Sequence, residues 1–101
     1  MSERYASFRE FYPFYLSEHS DRTCRRLHFA GSLLGLFFLA ATVATGNLWF
    51  LPAGLAVGYA MAWIGHYFFE KNRPATFRYP LYSFMGDWEM FREIVLGRIP
   101  L

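Results

Sequence analysis

Residues 27–69 form an apolar run that contains no Asp, Glu, Lys or Arg. A run far beyond the ~18 residues that indicate one membrane span predicts transmembrane helix. Because Gly46-Asn47 is a turn signal near its middle, the run predicts two spans, about 27–45 and 48–69, joined as a hairpin. A buried helical hairpin in a soluble protein is the alternative, although a chain of 101 residues could hardly cover both helices.

An aromatic segment, about 5–19, precedes this hairpin. Its aromatic residues recur at helical spacing, which predicts a helix lying in the membrane interface. Pro13 is expected to kink this helix or to restart it. A simpler interpretation is that the aromatic side chains only anchor the segment. The residues at helical spacing are Tyr5, Phe8, Tyr12 and Tyr15, and His19 continues their line.

The segment after the hairpin, about 76–97, predicts a second interfacial helix. Pro80 is expected to interrupt it, and Gly86-Asp87 indicates a turn followed by an N-cap. An apolar stripe then ends at Gly97 and comprises Trp88, Phe91, Ile94 and Val95. Residues 1–101 are therefore predicted to form one all-α membrane domain: a two-span transmembrane helical hairpin flanked by N- and C-terminal interfacial amphipathic helices.

Basic residues flank the hairpin at one end only. A lysine and arginine bias of this kind places both termini in the cytoplasm, with the hairpin passing through the membrane. Since topology explains these residues and the net charge is only +2, nucleic acid is not an expected partner. The basic residues are Arg25 and Arg26 before the first span, and Lys71, Arg73 and Arg78 after the second.

The start of the chain carries Glu3 and Arg4 before any apolar run. This pattern is unlike a cleavable signal peptide, so the first span is expected to act as an uncleaved anchor. The single cysteine, Cys24, excludes an intrachain disulfide.

All three histidines of the chain are expected near one end of the hairpin. His28 lies about one turn inside the first span and His66 about one turn before the end of the second, while His19 precedes the first span. A lone histidine is usually a hydrogen-bonded structural residue, whereas three that converge indicate a metal site. Imidazole suits iron, zinc, copper and nickel, and histidines with a carboxylate and open positions suit ferrous iron.

Glu70 is the carboxylate best placed to complete such a site. It follows His66 by four residues, which puts both on one face of an α-helix. Asp21 and Asp87 are weaker candidates. The structural alternative is an ion pair of Glu70 with Lys71 or Arg73 at the helix end.

Glycine pairs at four-residue spacing, Gly31/Gly35 and Gly54/Gly58, lie on the two predicted spans. Small residues at this spacing allow close helix packing in lipid. These faces predict packing between the spans, and they also make a homodimer an expectation.

Residues 18–31 (EHSDRTCRRLHFAG) and 63–75 (WIGHYFFEKNRPA) resemble the two motifs of a small membrane-protein family long described as a domain of unknown function. Its fungal member is a 2-hydroxy fatty acid dioxygenase of the endoplasmic reticulum. The tail, with Tyr79-Pro80-Leu81 and Gly86-Asp87, is similar to the short bacterial branch, which implies an integral protein of a bacterial inner membrane. The resemblance implies an Fe(2+) cofactor, a fatty-acid substrate in the membrane, and α-oxidation to an acid one carbon shorter. It implies catalytic, metal-binding roles for His19, His28 and His66.

Lys71, Arg73 or Arg78 would then bind the substrate carboxylate, and Glu70 would join the metal ligands. Two other functions remain open. One is a haem-binding membrane protein with His28 and His66 as axial ligands. The other is a non-enzymatic module that packs through its glycine faces.

Overall fold

A computed structural model describes residues 5–101, and every regular element in that part of the chain is helical. The predicted all-α class is confirmed. Residues 1–4, which include Glu3, Arg4 and the predicted start of the domain, lie outside the described residues. The helices are α1 (Phe8–Ser17), α2 (Arg22–Thr45), α3 (Phe50–Ile64) and α4 (Pro80–Val95); a π-helical segment (Gly65–Glu70) continues α3, and one 3-10 turn (Ala75–Phe77) precedes α4.

Helices α2 and α3 pack antiparallel along their glycines. A Cβ atom on Gly31 would lie 3.1 Å from the Gly58 carbonyl oxygen, and one on Gly54 would lie 2.9 Å from Phe38 Cβ. Both distances are shorter than ordinary contacts, so glycine is needed for this close approach. The predicted packing between the spans is confirmed at Gly31 and Gly54, whereas a Cβ atom on Gly35 would have no α3 atom within 4 Å. The homodimer stays a prediction.

The turn between α2 and α3 forms where the sequence predicts a break. Gly46 adopts a left-handed conformation with φ 73°, and its N–H donates to the Thr42 carbonyl at 2.8 Å. The Asn47 side chain accepts a hydrogen bond from the Trp49 N–H at 3.0 Å. Helix α2 therefore ends at Thr45, and the chain reverses within a few residues.

Within residues 5–101, α2 is the one helix that is long and apolar enough to cross a membrane. Its 24 residues extend about 36 Å at 1.5 Å per residue, which exceeds the ~30 Å hydrocarbon thickness of a bilayer. The second predicted span, about 48–69, is divided between α3, with 15 residues, and the π-helical segment. The two-span arrangement therefore stays a prediction.

Helix α1 packs its aromatic face against α4 at the end of the hairpin opposite the Gly46 turn. Phe11, which the predicted aromatic line omits, is fully buried, because α4 covers the face on which Phe11 and Tyr15 lie. Pro13 lies inside α1, which continues through it as one helix. The buried cluster consists of Phe11, Tyr15, Ala75, Tyr79, Met90 and Ile94.

Helix α4 runs without a break through Gly86-Asp87, so the predicted turn and N-cap at this position are wrong. The reason is tertiary: a Cβ atom on Gly86 would lie 2.8 Å from the Tyr15 ring, so this glycine lets α1 and α4 approach. Pro80 begins α4 rather than interrupting it, since proline is favoured in the first turn of a helix.

Candidate metal centre

Three separate elements deliver the histidines to one buried point. His19 lies in the turn between α1 and α2, His28 in the second turn of α2, and His66 in the π-helical segment. Each side chain is at most 5% exposed. The prediction that all three histidines converge is therefore matched by the structure.

The three imidazoles can each offer one nitrogen, and these atoms lie within 4.8 Å of one another. His19 Nε2 and His28 Nε2 are 3.1 Å apart. The ring centroids are separated by 4.4–4.9 Å, and the planes are inclined by 75–87°. The rings are thus arranged edge to face around a common centre rather than stacked.

The other ring nitrogen of each histidine faces an oxygen acceptor. His19 Nδ1 donates to the Tyr15 carbonyl at 2.6 Å, and His28 Nδ1 donates to the Cys24 carbonyl at 2.9 Å. His66 Nδ1 donates to Asn72 Oδ1 at 2.7 Å. Because a carbonyl oxygen cannot donate, each Nδ1 carries the proton and each Nε2 presents its lone pair to the centre.

Lone pairs that face each other at this distance repel unless a cation lies between them. Burial lowers the pKa of His19 well below its usual value, and the neighbouring His28 and His66 lower it further. A proton is therefore a poor counter-charge for the cluster, and a metal ion is a better one. Three neutral imidazoles with remaining open positions match the ligand sets of catalytic zinc and non-haem iron.

Asn72 orients His66 from the far side of its ring. Its Nδ2 donates to the Glu18 carbonyl at 3.0 Å and to Glu18 Oε1 at 3.3 Å, which fixes the amide so that Oδ1 faces His66. Glu18 directly precedes His19, so one amide connects two of the three histidine-bearing segments. Asn72 is part of the second sequence motif. Because it lies in a loop, helical spacing does not indicate that it contacts His66.

The π-helical segment makes this connection geometrically feasible. Lys71 ends the segment in a left-handed conformation with φ 64°, and the N–H of Asn72 returns to the His66 carbonyl at 3.0 Å. The helix therefore ends at Glu70, four residues before Pro74. A π-helical turn is often found at a functional site, where it changes the direction of a side chain.

Glu70 lies outside the histidine group. Its Oε2 accepts from the Ser20 hydroxyl at 2.8 Å, and its Oε1 accepts from the Asp21 N–H at 2.7 Å. Asp21 in turn caps α2 by accepting from the Cys24 N–H at 2.9 Å. Both carboxylates thus stabilise the N-terminus of α2, and the structure gives neither a place among the three converging nitrogens.

Tyr15 and Asp87 form a buried pair beside the centre. The Tyr15 ring stacks on His19 with centroids 4.0 Å apart, and its hydroxyl donates to Asp87. Burial raises the pKa of Asp87 to about 7, although the hydrogen bond from Tyr15 lowers it. The sequence predicts Asp87 only as a weak ligand candidate and assigns Tyr15 to the membrane interface.

The three predicted substrate-binding cations lie on the outside of the same end. Arg73 stacks over the Phe77 ring at 5.0 Å, Arg78 over the Tyr79 ring at 5.7 Å, and Lys71 is exposed. None of them lines either of the two cavities that adjoin the histidines.

An apolar cavity of about 380 Å³ extends from the histidine centre along the hairpin. Helices α2 and α3 form its sides and α4 covers part of it. His28 and Asp87 lie at one end, and they also line a second, much smaller cavity of about 10 Å³ beside the histidines. The wall of the larger cavity consists of His28, Gly31, Ser32, Gly35, Leu36, Leu39, Phe50, Leu51, Gly54, Leu55, Gly58, Tyr59, Ala62, Phe84, Asp87 and Trp88.

Fold and site together define a small helical protein with a buried three-histidine centre that opens onto an apolar cavity. Residues 5–99 match the family described as Mpo1-like, 2-hydroxy-palmitic acid dioxygenase Mpo1-like. The match covers nearly the whole chain, so the chain belongs to this family, and the resemblance seen in the two motifs is confirmed. No curated protein and no solved structure matches the chain.

Proposed function

We propose that the chain is a membrane-embedded, iron-dependent dioxygenase that shortens 2-hydroxy fatty acids by one carbon. The single observation that carries this proposal is the convergence of three Nε2 lone pairs, each set by a hydrogen bond at Nδ1. A set of imidazole ligands with open positions suits non-haem ferrous iron. The family name supports the dioxygenase class and the lipid substrate.

The proposed reaction balances without a further co-substrate. A 2-hydroxy acid and dioxygen give the acid one carbon shorter, carbon dioxide and water. The bond between the carboxyl carbon and its neighbour breaks, the hydroxyl-bearing carbon becomes the new carboxyl carbon, and dioxygen takes up the electrons that the substrate loses. When bound, the iron supplies the means to react with dioxygen. The histidines hold the ion, while Asn72 and two backbone carbonyls orient them.

The apolar cavity supports an acyl substrate. At about 30 Å³ for each water-sized group, 380 Å³ accommodates on the order of a dozen methylene groups. Polar groups lie at the histidine end, while the rest of the wall is largely apolar. An acid whose head group lies at the centre and whose chain follows the hairpin fits this distribution. Lys71, Arg73 and Arg78, outside the cavity, would attract the carboxylate to this end.

The surface supports a position in the membrane. Large apolar side chains are exposed over the part of the hairpin away from the histidines, where lipid rather than water would solvate them. Since the basic residues lie at the opposite end, we place both spans in the bilayer and both termini in the cytoplasm. The exposed apolar residues outside the cavity wall include Leu33, Leu34, Phe37, Val43, Leu48 and Trp49.

Axial haem ligation by His28 and His66 is less compatible with this geometry. A macrocycle would have to lie between the two rings, whose centroids are only 4.9 Å apart. His19 contacts both rings and occupies the space that the macrocycle needs. The non-enzymatic packing module gains no support either, since the glycine faces pack against each other inside the chain.

Metal content and turnover of histidine variants test the proposal. Full-length protein is purified anaerobically in detergent, and iron is measured by mass spectrometry together with the conversion of 2-hydroxypalmitic acid. We expect His66→Ala to lose iron and turnover. Glu70→Gln is the matched control: it should retain iron, because Glu70 binds the N-terminus of α2. Iron retained in His66→Ala, or a wild-type protein that does not shorten the acid, would contradict the proposal.

The acyl cavity is tested at Gly35. A Cβ atom there would meet only Trp88, at 3.9 Å, so a larger side chain can enter the cavity without a backbone clash. Gly35→Leu should lower kcat/KM for long-chain substrates by about tenfold, as loss of apolar contact does, and leave short-chain substrates less affected. Ala40→Leu, on the exposed side of the same helix, should leave this ratio unchanged. Equal effects of the two substitutions would contradict the proposal that the acyl chain of the substrate lies in this cavity.

A further inference from the structure

Ser83 carries a buried hydroxyl that its own helix does not use. It lies in α4 and is 3% exposed, and its Oγ has no hydrogen-bond partner within the described part of the chain. A helical serine or threonine commonly donates to the carbonyl four residues earlier. Thr42 and Thr45 do so in α2, at 2.9 and 2.6 Å. Ser83 therefore differs from Thr42 and Thr45, because its hydroxyl makes no hydrogen bond to the helix backbone.

Trp63, on helix α3, carries a second buried hydrogen-bond donor. Its indole Nε1 has no hydrogen-bond partner among residues 5–101. The ring is fixed by Phe77, with centroids 5.2 Å apart, and by Tyr59 at 6.1 Å. Buried tryptophan N–H groups usually have a partner, so a fixed indole whose N–H has none indicates a ligand.

Trp63 and Ser83 both line the small cavity that the three histidines also line. Its volume of about 10 Å³ is at the lower limit for one water-sized atom, so a ligand can place no more than a single oxygen there. Neither Lys nor Arg lines the cavity, so two neutral donors rather than a cationic side chain would recognise that oxygen. The acidic group at its edge, Asp87, accepts from Tyr15 and can also accept from a hydroxyl.

We infer that the Ser83 hydroxyl and the Trp63 indole N–H form a two-donor site for one carboxylate oxygen of an acidic lipid at the histidine centre. An oxyanion accepts more strongly than a neutral oxygen, and the two donors satisfy it where no Lys or Arg side chain is present. The inference rests on the proposed function for the identity of the lipid, a 2-hydroxy acid, whose hydroxyl would donate to Asp87. Trp63 and Ser83 are thus binding residues for the head group.

The test compares an acid with a neutral analogue. Iron-loaded full-length protein in detergent is titrated calorimetrically with a medium-chain 2-hydroxy fatty acid and with the matching vicinal diol, and iron is measured in parallel. Ser83→Ala and Trp63→Phe remove one donor each, and Ser83→Thr keeps the hydroxyl. Ser32→Ala and Trp88→Phe are matched controls, because these residues line only the larger cavity.

We expect Ser83→Ala and Trp63→Phe each to weaken binding of the acid by about tenfold while binding of the diol and the iron content stay unchanged. Ser83→Thr should restore the preference for the acid, and the two controls should change acid and diol alike. Unchanged acid binding, which an ordered water at the donors would give, overturns the inference. So does an equal loss for acid and diol, or a loss of iron. If the wild type binds the acid but does not oxidise it, the site stands and the proposed reaction fails.

Discussion

The hydrogen-bond acceptor at Nδ1 determines the tautomer of each histidine, and hence which nitrogen can bind a metal. Backbone carbonyls serve His19 and His28, and these acceptors come from residues four positions earlier in the chain. His66 differs, because its acceptor is a side chain, Asn72, that Glu18 holds in place. An acceptor of this kind fixes both the tautomer and the direction of the ring, and its loss is felt at the metal.

Asn72→Ala tests whether this acceptor orients His66 for metal binding. We expect metal affinity to fall about 10–100-fold, since His66 loses its acceptor and is free to rotate or to change tautomer. Competition with a metal-chelating dye measures the affinity. Asn47→Ala, in the exposed turn between α2 and α3, provides the control. Equal affinities in the two variants would show that Asn72 only closes the loop.

At the scale of elements, the contact between helices α1 and α4 determines that α4 continues as one helix. Local propensity disfavours glycine inside a helix, yet α4 continues through Gly86 because the Tyr15 ring needs the space. The π-helical segment is a similar case. It ends at Lys71 in a left-handed conformation, so that Asn72 can return to His66.

Two glycine substitutions separate propensity from packing. Gly86→Ala should destabilise the protein by about 1–3 kcal/mol, because the new Cβ would overlap the Tyr15 ring. Gly35→Ala should be neutral or stabilise by up to about 1 kcal/mol, since alanine favours helix and the new Cβ meets only Trp88 at 3.9 Å. Thermal unfolding in detergent, followed by circular dichroism, measures both. Equal changes in stability would mean that helix propensity alone decides them.

For the molecule as a whole, the histidine centre links parts of the chain that are far apart in sequence. It joins the turn after α1, the beginning of α2 and the end of the α3 helical run. A metal that binds this arrangement and not the unfolded chain must stabilise the fold, by about 2.7 kcal/mol at a concentration 100 times Kd.

A chelator should accordingly lower the Tm of the metal-loaded protein. The triple variant His19→Ala, His28→Ala and His66→Ala should unfold at a temperature that neither metal nor chelator changes. Calorimetry in detergent at several metal concentrations measures the shift. A Tm of the wild type that does not depend on metal would show that the histidines stabilise the fold without an ion.

Much of the fold is determined by local sequence. The charge-free run predicts the hairpin, Gly46-Asn47 predicts its turn, and the glycine pairs predict which faces pack, because each depends on the apolar pattern or on residues close together in the chain. The same pattern predicts that the three histidines reach one end. Only the tertiary structure decides their tautomers, since these depend on single acceptors such as Asn72.

Tertiary contacts also explain where the predictions from local sequence are wrong. Glu70 shares a face with His66 in an ideal α-helix, but the π-helical turn directs it to the N-terminus of α2. Gly86 with Asp87 predicts a turn, whereas in the fold Gly86 lies inside α4 and the Tyr15 ring packs against it. Trp63 and Ser83 lie on different helices, so no local stretch of sequence shows that both residues line one cavity. Contacts between distant segments have no local pattern, and they determine the details of the site.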